Sequence, residues 1–317
     1  MNFTFGIITD GTVDSRINIM IDSIERENIP IYEIIIVGNS AIKRKNTTII
    51  PFDDSIKYCW VTKKKNIITE KAQYENVVYM NDYVVLEPEW YNGFLKFGND
   101  FSLCMNKILK IDGSRFLDWT LHQYDARLVG IPRWRFMLPY DEVELSKFMY
   151  FSGTYWVGKK KVMQVIPFDE SVVRGQGEDV IWSMQIRNFY DFSMNAFSSV
   201  RLLKDKETAY DNSRATPEDI FKLKEGLKLG TIKPVVNTGD EIKDKIRKFH
   251  DLIDYWSIDW DHKGDTFYNQ WQSYRTKKEP KIELEAKHVY KEPGKYQILV
   301  KVVDIFGNDA NKVVDLK

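Results

Sequence analysis

The spacing of hydrophobic and polar positions changes character along this chain. Phe3–Thr9 is a short apolar run closed by Asp10-Gly11, which predicts a strand followed by a turn. From Ser15 to Arg26 the apolar residues Ile17, Met20, Ile21 and Ile24 recur at helical spacing. Ile31–Val37 predicts a second strand, ended by Gly38-Asn39-Ser40, and its Glu33-Ile-Ile-Ile-Val37 core reads as a strand buried on both faces. A strand–helix–strand start favours parallel pairing. Short strands are expected at Thr47–Phe52, Lys57–Val61 and Asn76–Tyr79. Helices are expected over Lys63–Gln73 and from Pro88 to Lys96, the second with Pro near its first turn. Phe101–Asp112 reads as strand and turn. The stretch from Gly113 to Tyr150 is rich in Trp, Arg, Pro and Tyr, has no period, and reads as long functional loops. Gly153–Val157 predicts a strand, Lys159–Val165 a short helix, and Asp179–Tyr190 a helix opened by Glu178-Asp179.

Beyond Leu203 the composition turns polar. A helix is expected at Pro217–Leu229, with Thr216 as its cap and Pro217 in its first position, and another at Ile242–Ile253. From about Tyr255 the pattern is β: Lys281-Ile-Glu-Leu-Glu-Ala286 alternates, Gln297–Val303 alternates less strictly, and Glu292-Pro-Gly294 and Phe306-Gly-Asn308 are turn signals. The expected organisation is an α/β domain over 1–210, a helical tail and linker over 211–254, and a small β-sandwich over 255–317.

The chain has 317 residues, 43% of them hydrophobic and 14% aromatic, enough for a substantial core. Its 46 basic and 46 acidic residues cancel to a formal charge of +0, which removes any long-range pull on nucleic acid. Cys59 and Cys104 each sit among apolar residues and read as reduced core thiols. The first ten residues have neither a basic start nor a long apolar stretch and read as a strand rather than a leader. No run approaches the roughly 18 apolar residues of a membrane span. A soluble, cytoplasmic protein is therefore expected.

Two acids carry the chemical argument. Val77-Val-Tyr-Met-Asn81-Asp82 is a buried-strand pattern that ends on an acid, suited to a diphosphate and its hard cation or to an ordinary strand-end turn. Gly175-Gln-Gly-Glu178-Asp179 brings a glycine pair into a helix start, where the helix dipole favours a negative charge suited to a general base or to a plain helix cap. Gly175 and Gly177 allow a loop that closes over a donor. Thr9-Asp10-Gly11 and Gly38-Asn39-Ser40 end the first two strands, where nucleotides bind in open α/β sheets. There Asp10 can accept from a base N–H and Asn39 can hold base or ribose, although both also fit ordinary turn chemistry. In Lys63-Lys-Lys-Asn66, positive charge suits a diphosphate or a solvated face, and Asn66 is a structural or nucleotide contact. Trp119, Trp134 and Tyr140 can stack on acceptor sugars and Arg133 or Arg135 can hold an acidic group, or these side chains pack the loop onto the sheet. The four histidines are scattered, and Asp259-Trp-Asp261 reads as a solvated loop.

Residues 3 to about 206 resemble the GT-A glycosyltransferases, especially the large inverting group called family 2. Phe5-Gly-Ile-Ile-Thr9-Asp10-Gly11 is similar to the first strand and nucleotide loop. Glu33-Ile-Ile-Ile-Val-Gly38-Asn39-Ser40 resembles the second strand, with Gly38 where that family has Asp. Lys65-Asn66 resembles the Arg-Asn of its third motif. Tyr79-Met-Asn81-Asp82-Tyr83-Val84, followed by Pro88, resembles the metal-binding DXD region, keeping Asp82 of the acid cluster. Ser152-Gly153-Thr154-Tyr-Trp156-Val resembles the strand beside donor sugar and acceptor, which makes Gly153 a donor contact and Trp156 an acceptor contact. Phe168-Asp-Glu and Gly175-Gln176-Gly-Glu178-Asp179-Val form the closest match. The resemblance gives Asp179 the catalytic base, Glu178 a role in supporting it or touching the acceptor, and Gln176 an acceptor contact. The family's late metal-ligand histidine has no counterpart. Lys204-Asp-Lys206 lies roughly where it would be, and Lys204 or Lys206 would neutralise the diphosphate instead. Residues 255–317 resemble an immunoglobulin-like module of the PKD type through His288-Val-Tyr-Lys-Glu-Pro-Gly-Lys-Tyr296 and Val302-Val-Asp-Ile-Phe-Gly-Asn308.

The resemblance implies a GT-A fold, a mostly parallel sheet flanked by helices, and transfer of a sugar from a UDP- or GDP-type donor to a glycan or other hydroxyl acceptor. It implies Mn2+ or Mg2+ at Asp82 and a C-terminal module that binds a partner or glycan, or acts as a spacer. Two alternatives stand beside it. A nucleotidylyltransferase needs a glycine-rich basic loop after the first strand, whereas Thr9–Asp14 has one glycine and no base before Arg16. A catalytically decayed domain that binds glycans or partners fits the missing acids around Asp82 and at Gly38, and is opposed by the retained Glu178-Asp179 pair.

Overall fold

Eight strands form the sheet that carries the first part of the chain. The structure, a computed structural model, describes residues 1–11, 13–57, 59–121, 137–172, 177–206, 215–230, 253–264, 266–276, 281–304 and 309–316. The chain divides into two compact units, Met1–Glu241 and Ile242–Lys317.

In the first unit, β1 (Phe3–Ile8), β2 (Tyr32–Val37) and β3 (Thr47–Ile50) pair in parallel, and β1 also pairs in parallel with β4 (Asn76–Asn81). The remaining strands are β5 (Val84–Leu86), β6 (Leu103–Leu109), β9 (Tyr155–Lys159) and β10 (Phe192–Leu202), and the order across the sheet is β3-β2-β1-β4-β9-β6-β10-β5. Strand β9 lies antiparallel between β4 and β6, and β5 runs antiparallel on β10, so the sheet is mixed with most strands pointing one way. Two short strands, β7 (Thr120–Leu121) and β8 (Met149–Tyr150), form a separate ribbon.

The helices follow the apolar spacing. Helix α1 (Asp14–Arg26) buries Ile17, Met20, Ile21 and Ile24, the face read from the sequence. Helix α2 (Val61–Lys71) packs against β1 and β2, and α3 (Trp90–Phe97) drives Trp90 and Phe94 onto Phe3, with ring centroids 5.1 and 5.4 Å away. Each such buried side chain is worth roughly 1.5–3 kcal/mol. Helix α4 (Lys160–Val165) follows β9, and α5 (Glu178–Ile186) buries Trp182 and Ile186. Helix α6 (Pro217–Lys228) is opened by a capping box between Thr216 and Asp219 and held to the unit by Lys224 on Glu142 at 2.9 Å.

Two expectations in this unit differ from the structure. Among the described residues of 57–61 none is in a strand: Cys59 has φ +52, outside any strand geometry, and Lys57 and the Trp60 indole donate to the Glu170 carbonyl at 2.9 and 2.7 Å. The helix after Pro88 begins later, because Glu89 is left-handed at φ +68 and caps it at Trp90. Strand β10 had no expectation. Its alternation is broken by a bulge between Asn195 and Ser199, and the buried polar pair Asn195 and Ser198 hydrogen-bond each other inside it.

The second unit holds one antiparallel sheet ordered β12-β11-β13-β14, built from β11 (Ile253–Asp259), β12 (Trp271–Tyr274), β13 (Tyr296–Asp304) and β14 (Asp309–Leu316). Among the described residues there is no second sheet to complete a sandwich, and Lys281–Ala286 is not a strand. Asp259 is not solvated: it is buried, and its carboxylate accepts from the Asp261 and Tyr268 amides at 3.2 and 3.0 Å. The helix expected at 242–253 and the turn at 306–308 lie outside the described residues, apart from Ile253, which opens β11.

Candidate active site

The carboxyl ends of β1 and β4 lie side by side in a parallel pair, and the antiparallel β9 brings its amino end to the same edge. A cleft forms there. Ile8, Thr9 and Asp10 enter from β1, Asn81, Asp82 and Tyr83 from β4, Ser152, Gly153 and Thr154 from the start of β9, and Lys64 and Lys65 from α2. The first turn of α5 adds Glu178 and Asp179, and the segment after β10 adds Lys204 and Lys206. This is the edge at which open α/β sheets place ligands. The cleft holds about 190 Å³, below the roughly 300–1,000 Å³ of a whole small-molecule site, so the described residues build part of one.

Asp179 is held by two backbone amides. Its Oδ2 accepts from Gly153 N at 2.7 Å and its Oδ1 from Val180 N at 2.9 Å. The approach depends on glycine: a Cβ on residue 153 would stand 3.2 Å from that Oδ2. Lys65 lies beneath, 2% exposed, donating to the Gly153 carbonyl at 3.2 Å and placed 4.4 Å over the Trp156 ring. Burial pushes its amine down to about 8, against the pull of the Glu178 and Asp179 charges.

Across the cleft, the Asp82 Oδ2 accepts from the Thr9 hydroxyl at 2.9 Å, and that hydroxyl accepts from Gly11 N at 3.1 Å. Burial raises the Asp82 carboxyl above its ordinary value, opposed by the Thr9 hydrogen bond and by the Arg16 and Lys204 charges. Lys204 sits 4.0 Å over the Tyr83 ring. Lys206 donates to Thr154 Oγ1 at 3.1 Å and to the Tyr83 hydroxyl at 3.3 Å. Burial alone would raise the Tyr83 phenol, but the Lys206 charge and the surrounding hydrogen bonds outweigh it and bring the phenol below its ordinary value. Asn81 donates to the same hydroxyl at 2.9 Å.

Of the residues singled out in the sequence, Thr9, Asp10, Lys65, Asn81, Asp82, Gly153, Glu178, Asp179, Lys204 and Lys206 meet in this cleft. Others stand elsewhere. Asn39 is exposed beside Gly11, in the paired loops after β1 and β2. The Asn66 amide is spent on the neighbouring loop: it donates to the Phe168 carbonyl and accepts from the Phe168 N–H, both at 2.9 Å. Trp119 is fully buried with its indole on the Glu142 carbonyl, and Trp156 is 1% exposed and stacked on Tyr79 at 4.9 Å, so neither offers a face to an acceptor. Trp134, Gln176 and Gly175 lie outside the described residues. Arg16, Asp54, Lys64 and Thr154 line the cleft without having been singled out; Lys64 donates to the Thr9 carbonyl at 2.6 Å and pairs with Asp54 at 2.8 Å. Lys64 stood in a run that reads equally as a solvated face, and only its position on the buried side of α2 separates it from Lys63.

Gly38, which departs from the family pattern, has a structural reason. Its φ is +142, and a Cβ there would overlap the Thr9 carbonyl oxygen. An acid cannot stand at this position with the loops so close.

Among the described residues, no group of three or more His, Cys, Asp or Glu side chains could cage a metal ion. Asp82, with the Asp10 charge bearing on it, fits a different kind of site. Mg2+ and similar hard ions commonly keep waters and bind through one or two carboxylates completed by substrate phosphates.

No family model and no curated protein matches the chain. The similar solved structures include two proteins crystallised with UDP or UDP-GlcNAc. One is S. aureus TarS: its crystal structure is 15% identical with a TM-score of 0.43, covering 79% of this chain and 43% of TarS. TarS 1-349 in complex with UDP-GlcNAc is 14% identical with a TM-score of 0.46, covering 78% of this chain and 70% of that one. The other is GalNAc-T7 with UDP, GalNAc and Mn2+, 13% identical with a TM-score of 0.45, covering 72% of this chain and 48% of that one. The chain thus spans less than half the length of the first TarS structure. No helix among the described residues is long and apolar enough to cross a membrane.

Proposed function

We propose that the chain is a nucleotide-sugar-dependent glycosyltransferase of the GT-A type, using a UDP- or GDP-sugar donor and an acceptor hydroxyl. The observation that carries this reading is the convergence of a strand-end acid, Asp82, and a helix-start acid, Asp179, with two lysines in one cleft at the carboxyl edge of the parallel strands. In the proposed inverting reaction, Asp179 takes the proton of the acceptor hydroxyl as its oxygen bonds to the anomeric carbon. The bond from that carbon to the diphosphate breaks, and the diphosphate leaves with the electron pair. Lys204 and Lys206 offset its charge. Asp82 is the residue that would hold a Mn2+ or Mg2+ ion, which supplies further positive charge to a leaving diphosphate.

A thermal-shift screen of nucleotides and nucleotide sugars, each with and without Mn2+, tests the reading. Specific binding at a hundredfold excess over Kd adds about 2.7 kcal/mol, which for a unit of this size raises Tm by roughly 5–11 °C. Charge reversal of both Lys204 and Lys206 should abolish that gain. No shift with any nucleotide would overturn the proposal.

A further inference from the structure

We infer that Lys65 is a positioning residue for the Asp179 carboxylate, acting through the backbone of Gly153, and not a contact to the donor. This rests on the proposed role of Asp179 as base. Three observations carry it. First, the Lys65 amine donates to the Gly153 carbonyl at 3.2 Å, while the N–H of the same residue donates to Asp179 Oδ2 at 2.7 Å, so Gly153 is gripped from both sides. Second, the side chain is 2% exposed and its amine lies over two rings, Trp156 at 4.4 Å and Phe168 at 5.1 Å, which hold it against the floor of the cleft. Third, a buried ammonium is costly unless it is compensated, and the compensating charges are Glu178 and Asp179 in the first turn of α5. A cation under the floor of the site thus ties β9 to the first turn of α5.

The charged groups bearing on Lys65 are Glu178 and Asp179 from α5, which hold its proton, and Lys206 from the segment after β10, which works with burial to release it. The amine loses its proton at about pH 8. Above that pH the grip on Gly153 weakens.

The test uses the full chain with Lys65→Met and Lys65→Arg, read by UDP calorimetry, donor turnover and the Gly153 amide resonance. In the wild type, the Gly153 amide should titrate near pH 8 and kcat should fall above it. Lys65→Met should displace that resonance, keep UDP affinity within about twofold and lower kcat about 10²-fold, the scale of a misplaced catalytic group. Lys65→Arg should restore part of kcat and move the pH limit upward. Loss of UDP affinity in Lys65→Met with an unmoved Gly153 amide would overturn the inference and make Lys65 a donor contact. A wild-type Gly153 amide that does not titrate between pH 7 and 9 would overturn it without any variant. If the wild type binds and turns over no nucleotide sugar, the transferase reading fails, while the amide titration still decides the coupling.

Discussion

Replacing Asp179 by Asn separates its chemical role from its structural one. The carboxylate accepts two backbone amides on different oxygens, Gly153 N at 2.7 Å and Val180 N at 2.9 Å. An asparagine offers one acceptor and one NH2, so either orientation of the amide sets a donor against one of these N–H groups. Both donors are only half-buried, so leaving one without an acceptor costs at most about 1–3 kcal/mol, the penalty for a buried donor. For a unit of 150–250 residues, about 2–4 °C per kcal/mol, this lowers Tm by roughly 2–12 °C. The catalytic loss is separate. Removing a general base costs about 10²–10⁴-fold in rate, equivalent to about 2.7–5.5 kcal/mol at 1.36 kcal/mol per decade. Donor turnover at saturating donor, Tm from a thermal scan and UDP affinity from calorimetry are read on the same preparation. The expected pattern is a large fall in kcat, a moderate fall in Tm, and UDP affinity within about twofold of wild type, because Asp82 and the lysines stand across the cleft. A kcat within about threefold of wild type would refute the base assignment. An unchanged Tm would refute the two amide contacts.

Other outcomes follow from the same geometry. Burial holds the Asp82 carboxyl above its ordinary value, so its contribution to stability is complete below the unfolded pKa of about 3.9 and is lost as pH rises through the folded value. Asp82→Asn should therefore raise Tm at pH 7, with the gain vanishing toward pH 4; an equal gain at both pH values would show that burial is not the cause. Gly38→Asp, which installs the family's residue, should cost about 1–3 kcal/mol or more, because φ +142 and the Thr9 carbonyl leave no room for a side chain. An unchanged Tm in that variant would mean that the loops after β1 and β2 separate easily.

Local pattern made the main elements of the first unit legible. The apolar face of α1 and the buried runs of β1, β2 and β4 follow from spacing alone, because burial on one stripe or on both faces leaves a periodic record. Asp82 and Asp179 were also visible, as acids at a strand end and a helix start. Strand β10 was not, since its central polar residues satisfy one another inside the bulge and erase the alternation.

The sequence by itself determined which segments bury their apolar residues and where acids fall at the ends of strands and helices, since both depend on neighbours close in the chain. Tertiary structure alone decided which of these ends meet. It turned Trp119 and Trp156 inward, spent Asn66 on the Phe168 backbone, and brought Lys64, Lys206 and Arg16 to the cleft from three separate segments. It also made Gly38 obligatory, through the approach of a loop some thirty residues away in the chain. The physical reason is that a side chain's role depends on what stands across from it, and strand order and burial set that distance, not sequence spacing.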